Sequence, residues 1–280
     1  MNRYFYICAM LAAFAACTEL QDVTEVEKTP VNADAIAFTA DIQAVTKATD
    51  LAFEEGDAIS VFATLKNAPQ ESNYAQNVKY TYRDALFTTS ADLSYPDEYT
   101  TLSFFAVYPY GDYTTPEFTF SVNKDQSSHK AYTSSDLMTA SKYAKNQEVV
   151  DMTFSHRMAK VIVKLNAANL PAGDQSVTFN DVLYTAEADL AYNIFSGKGK
   201  KADVVACPNG TNSFKVVLPP QNIDKGTEFV NVKIGDKTYV WTVEADLILS
   251  SGVEYTYTLT LKEANVSFTS DINPWNTPSE

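Results

Sequence analysis

The chain has 280 residues, 45% hydrophobic and 12% aromatic, with 21 Lys and Arg against 35 Asp and Glu for a formal net charge of −14. Binding to phosphate backbones demands clustered Lys and Arg, which this balance excludes, so no nucleic-acid partner is expected. The same charge repels an anionic leaflet, so membrane attachment has to rest on something other than a basic patch.

The first element is a short apolar run, Tyr4–Phe14, preceded by Arg3 and closed by Ala15-Ala16-Cys17. A basic start, an apolar stretch and small residues before a cut make a secretory signal, and the cysteine that follows is the residue acylated in lipoproteins. Residues 1–16 are therefore expected to be a lipoprotein signal peptide, with Cys17 lipidated. As a helix the run spans only about 20 Å, short of the roughly 30 Å hydrocarbon core of a bilayer. With Cys8 in the signal and Cys17 lipidated, Cys207 is the one thiol left. An intramolecular disulfide is then impossible, and stability has to come from an apolar core.

Residues 17–35 carry Glu19, Asp22, Glu25, Glu27, Pro30 and Asp34 with little apolar content, the composition of a solvated acidic tether. From Ile36 the pattern becomes period-two alternation, with Ile36, Phe38, Ala40 and Ile42 on one face and Thr39, Asp41 and Gln43 on the other. Alternation returns at Phe118, Phe120 and Val122, at Ala159, Val161, Val163 and Leu165, and at Val253, Tyr255, Tyr257, Leu259 and Leu261. Ile234-Gly235-Asp236-Lys237, between Phe229–Lys233 and Thr238–Val243, reads as a two-residue hairpin turn.

Seventeen tyrosines, sixteen phenylalanines and turn clusters such as Pro109-Tyr110-Gly111-Asp112 and Pro208-Asn209-Gly210 predict an all-β fold of stacked sandwiches with antiparallel pairing. The polar segment Ser141–Glu148 is the expected boundary. It yields an N-terminal β-sandwich domain over 36–148 and a C-terminal one over 149–280.

No catalytic residue, metal site or cofactor is assigned. His129 and His156 lie far apart without metal-ligand spacing, and His156 reads as a hydrogen-bonded structural residue. Cys207 lacks a nearby activator and reads as an inert thiol. Trp241, with Tyr239 and Val243 on its face, fits a sandwich core, while Trp275 is expected to seal the second domain or flank its last strand. The Tyr108–Tyr113 loop, with three tyrosines, either meets a partner or caps the first sandwich.

Phe154-Ser155-His156-Arg157-Met158-Ala159-Lys160-Val161 resembles the opening of the second domain of fimbrillin-like proteins, the subunits of type V pili in Bacteroidota. Thr46-Lys47-Ala48-Thr49, Glu55-Gly56-Asp57, Asp136-Leu137-Met138, Gly252-Val253-Glu254-Tyr255 and the terminal Ile272-Asn273-Pro274-Trp275 follow the same order. Lys47, Phe53 and Ser60 stand where members commonly carry Arg, Trp and Gly.

The resemblance implies two transthyretin-like sandwich domains in a lipid-anchored precursor at the outer membrane and cell surface, built into a fimbrium with other pilus subunits and contributing to adhesion to a host or bacterial ligand. It further implies that a protease cuts in the loop after the first strand, and that a neighbour's strand fills the groove this leaves. Here the cut would follow Lys47, the removable strand would be 36–44 with Ile36, Phe38 and Ile42 as plugs, and the donor would be the segment around Val266, Phe268 and Ile272. A surface glycan-binding lipoprotein using exposed aromatics is the alternative.

Overall fold

The computed structural model describes residues 32–43, 52–66, 73–113, 117–168, 170–190, 192–261 and 266–275. In chain order the first strands are β1 (Ala37–Ile42), β2 (Ala58–Leu65), β3 (Asn73–Arg83), β4 (Leu86–Thr88), β5 (Thr101–Tyr108) and β6 (Glu117–Ser121). The short helix α1 (His129–Thr133) leads to β7 (Met138–Lys145) and β8 (Val149–His156). All of these strands except β6 close into a barrel in the order β1-β4-β3-β2-β5-β7-β8.

Period-two alternation explains why the barrel closes around an apolar centre. In β8, Val150, Met152 and Phe154 point inward while Val149, Asp151 and Thr153 face solvent. With Phe38, Ile59, Val61, Tyr80, Phe87, Leu102 and Phe104 they fill one continuous core. Closure itself comes from a parallel pairing of β1 with β8, from Ala37↔Val149 to Ile42↔Phe154, alongside the antiparallel contact Phe38↔Phe87 to β4. The expectation of purely antiparallel sheet is corrected here, and again where β9 meets β20 in parallel.

The remaining strands are β9 (Ala159–Leu165), β10 (Gln175–Leu183), β11 (Thr185–Asp189), β12 (Ile194–Gly197), β13 (Lys201–Val205), β14 (Cys207–Pro208) and β15 (Ser213–Leu218). They continue with β16 (Gln221–Ile223), β17 (Glu228–Ile234), β18 (Lys237–Thr242), β19 (Leu247–Leu249), β20 (Val253–Leu261) and β21 (Val266–Pro274). A five-stranded sheet, β14-β15-β9-β20-β21, and a four-stranded one, β13-β10-β17-β18, contribute the second core. Its centre is Trp241, fully buried and edge-on to Phe229 at 5.5 Å. The hairpin falls where the sequence places it: Ile234 pairs with Lys237, and Gly235 takes φ +56, which a two-residue turn requires.

The strands do not divide at 148/149. Ser141–Lys145 belongs to β7, where Ser141, Lys142, Tyr143 and Lys145 face solvent while Ala140 and Ala144 pack inward, and β8 is a barrel strand, so the first core runs on to Phe154. The tether expected over 17–35 is fastened at its end, since Asn32 N–H donates to Thr89 O at 2.8 Å and Ile36 N–H to Leu93 O at 2.9 Å. Strand β6 leaves the barrel to pair with β11, from Thr185↔Ser121 to Asp189↔Glu117.

A third apolar cluster, including Val107, Phe120, Tyr132, Leu137, Met158, Val217 and Trp275, fills the space between the two cores. It covers the face of β9 and β15 that alternation assigns to water. Lys160 and Lys215 are buried there, Lys160 bonded to Glu254 at 3.2 Å and Lys215 over the Tyr132 ring at 4.2 Å. Trp241→Ala leaves a large hole at the centre of the second core and is expected to cost about 3–5 kcal/mol, read from the urea unfolding midpoint.

Candidate assembly interface

Strand β1 is the element on which the sequence concentrates candidate residues, and the structure holds it from every side. Ile36 and Phe38 are buried and Ile42 is half-buried against the same core. The Phe38 ring meets Tyr80 edge-on at 4.9 Å and Phe104 at 5.2 Å. The Tyr80 hydroxyl donates to Ile36 O at 2.9 Å, and burial pushes its pKa well above the usual phenol range.

Both ends of β1 are tied down. Ala37 N–H donates to Glu148 O at 2.9 Å, and Gln43 N–H to Phe154 O at 2.8 Å. The Ser155 hydroxyl donates to Gln43 Oε1 at 2.8 Å. Lifting β1 out would bare Tyr80, Phe87, Phe104, Val150, Met152 and Phe154 together with one backbone edge of β8. Such a trough of core side chains and unpaired backbone groups is a template for another strand.

The C-terminal segment is held differently. Strand β21 pairs along its whole length with β20, from Leu261↔Val266 to Val253↔Pro274, and forms the edge of its sheet. Phe268 is half-buried, 4.8 Å from the Trp241 ring, whereas Ile272 on the same face is 61% exposed. The Val266 side chain lies outside the described residues, as do Cys17 and Lys47. The three donor plugs thus do not share one environment.

Sequence reasoning set Trp275 beside the last strand but did not find the ring it packs on. Trp275 is buried and stacks flat on the His156 ring at 3.7 Å and 9°. His156 Nδ1 lies 2.8 Å from Asp136 Oδ2, and Lys160 Nζ sits 5.4 Å above the indole. Trp275 N–H donates to Gly252 O at 2.8 Å. Nothing in β9 marked this seat, because Lys160 and Lys164 alternate with the inward Ala159, Val161, Val163 and Leu165 as a solvent-facing row does.

Around this junction Arg157 donates through Nε to Thr139 Oγ1 at 2.7 Å and lies 4.9 Å from the Phe195 ring, its pKa lowered to about 10 by burial. Where β1 leaves the barrel, Asp57 accepts from Glu54 N–H at 2.8 Å and from the Tyr108 hydroxyl at 3.2 Å. Burial raises its pKa against the opposing pull of those bonds. In the Tyr108–Tyr113 loop, Tyr108 and Tyr113 are buried and only Tyr110 faces out, beneath Lys79 at 5.0 Å. The loop caps the barrel. His129 meets Glu54 at 3.0 Å on the surface, and among the described residues no three His, Cys, Asp or Glu side chains converge as metal ligands.

Fold and interface define a class: an all-β protein whose first strand completes a barrel and whose last strand lies on an open sheet edge. The chain belongs to the fimbrillin-like family, whose model matches residues 46–275, beginning after β1 and ending on Trp275. It is 24% identical to Fim1C of Bacteroides uniformis, a candidate fimbrium subunit, over 98% of this chain and 96% of that one. Its fold is similar to that of a candidate cell-adhesion protein from Bacteroides ovatus, with TM-score 0.69 and 17% identity over 89% of this chain and all of the other. A second such protein, from Bacteroides uniformis, gives TM-score 0.64 at 20% identity over 86% and 98% of the two chains.

Phe38→Ala removes the central plug of β1 and is expected to cost about 3–5 kcal/mol in chemical denaturation, with Tyr80→Phe costing about 1 kcal/mol for the lost bond to Ile36.

Proposed function

We propose that this protein is a fimbrial subunit that reaches the cell surface as a precursor lipidated at Cys17, is cut after Lys47, and polymerises when a neighbour's strand replaces β1. The observation that carries this reading is the seat of β1, a strand separable from the rest of the chain by one cut yet supplying Ile36, Phe38 and Ile42 to the barrel core. Refilling that seat with three comparable side chains is worth about 5–8 kcal/mol before ordering costs. Backbone bonds to β8 supply affinity and alternate side chains fix register. Lipid retention with an uncut strand suits an anchor subunit, and loss of both suits a stalk subunit. No step calls for catalysis or a cofactor.

Limited trypsin digestion is expected to release residues up to Lys47 and to be followed by a heat-resistant ladder on gels. Lys47→Ala should abolish the ladder, and an unchanged ladder in this variant would reject the cut site. Mass analysis of the mature N-terminus on whole cells separates the roles, because acylated Cys17 and free Ala48 exclude each other.

A second reading, glycan binding, draws support from Tyr99 and Tyr143, which are 75% and 65% exposed with Lys145 and Lys66 respectively over their rings. Retardation in polysaccharide-containing gels that is lost in Tyr99→Ala/Tyr143→Ala would favour it, and unchanged migration would reject it.

A further inference from the structure

The first and last strands of the chain carry nearly the same sequence. Ile36-Ala37-Phe38-Thr39-Ala40-Asp41-Ile42 aligns without a gap on Val266-Ser267-Phe268-Thr269-Ser270-Asp271-Ile272. Phe, Thr, Asp and Ile coincide, and the three differences exchange Ile for Val and Ala for Ser. The next position keeps a side-chain amide, Gln43 against Asn273. The likeness reaches both faces, since it matches the plugs Phe38 and Ile42 and the outward Thr39 and Asp41 alike.

Shared β-strand composition does not explain this, because the two strands sit in unlike surroundings. Strand β1 is parallel to β8 inside a closed barrel, while β21 is antiparallel to β20 on a sheet edge. The β1 pattern is used where it stands: Phe38 is buried and Ile42 half-buried. In β21 the same pattern is mostly idle, with Ser267, Thr269, Ser270, Asp271, Ile272 and Asn273 all exposed and Phe268 half-buried. An isoleucine 61% exposed leaves most of its apolar surface in water at home and gains by burial elsewhere.

Resting on the strand-exchange reading above, we infer that β21 is a copy of the β1 plug built for a second molecule of this same chain. Its register is fixed with Phe268 in the Phe38 position and Ile272 in the Ile42 position. The occupant is a second copy because the match is to this chain's own β1, residue by residue. On transfer Trp275 leaves the His156 ring, Phe268 leaves the Trp241 and Tyr257 rings, and the ladder to β20 opens. Parallel alignment with the acceptor's β8 then sets Phe268 beside Val150, Thr269 beside Asp151 and Ile272 beside Phe154, following the partners β1 has now. A slip by one residue would turn Phe268 and Ile272 to solvent, so the pattern admits no neighbouring register.

The test is site-directed cross-linking between full-length copies carrying one new cysteine each, mixed and cut after Lys47. Thr269 and Asp151 are both exposed, so Thr269→Cys on one copy and Asp151→Cys on the other should give a disulfide-linked dimer within the ladder. The slipped pair Ser270→Cys with Asp151→Cys should give at least about tenfold less. A ladder that forms with cross-links only in the slipped pair, or in neither, overturns the inferred register while leaving strand exchange standing. Absence of any ladder in the uncrosslinked parent rejects strand exchange itself. As a second arm, a synthetic peptide of residues 266–275 should cap the cut chain and shorten the ladder, and the Phe268→Asp peptide should not; equal capping by both peptides also overturns the inference.

Discussion

The parallel pairing of β1 with β8 is the constraint from which the rest of the molecule follows. It closes a barrel that would otherwise be an open sheet with bare edges on β4 and β8, and it delivers Phe38 to a site where Tyr80 and Phe104 meet it edge-on. Parallel neighbours cannot be joined by a tight hairpin, and here the chain leaves β1 toward β2 and reaches β8 only after six further strands. A strand so central to packing is thus tied covalently to the barrel through the connection to β2, residues 43–57, where a single cut separates it. Removing it costs contacts and leaves the connectivity of the remaining six barrel strands intact.

Strand β8 carries a second duty at its far end. Its last residue, His156, leaves the barrel core and becomes the platform for Trp275, so the strand that seats β1 also holds the end of β21. Arg157 and the β6–β11 pairing add further stitches between the two cores. The molecule is therefore poorly described as two independent beads. Lys160 is buried against Glu254 and His156 against Asp136, which makes these pairs costly to disrupt singly.

Much of this was legible in the sequence because period-two alternation directly reports which side chains face a core. The inward sets of β1, β9 and β20, the turn at Gly235 and the burial of Trp241 all follow from it. What alternation cannot report is which strand lies beside which. The parallel pairings, the crossing of β6 to β11 and the membership of β8 in the first barrel depend on contacts distant in sequence, and polarity at Ser141–Glu148 marked an outer strand face rather than a boundary. Lys160 and Lys215 read as solvent-facing because a strand seen alone gives no sign that a second layer covers it. The β1-like sequence of β21 was legible too, but its meaning needed the structure, which shows the same pattern filled in one place and idle in the other.

That contrast sets the balance on which the C-terminal strand rests. At home β21 is held by its ladder to β20, by half of Phe268 and by Trp275, whose stacked ring is the largest apolar group that anchors it. Its buried indole N–H has no acceptor among the described residues, a penalty that solvation would remove. Against this anchor stand Ile272, left in water, and Phe268, which would be fully covered in the β1 position. Full burial of one such side chain contributes about 1.5–3 kcal/mol, and because Phe268 is already half-covered and the Ile42 position is itself half-buried, the two partial gains together are of the size of the loss at Trp275. In the proposed exchange the nine-pair ladder to β20 gives way to the six-pair ladder that β1 makes with β8. In the proposed exchange a near balance of this kind would make the home position a store from which the strand can be drawn, and the vacated β1 seat of another molecule the event that tips it.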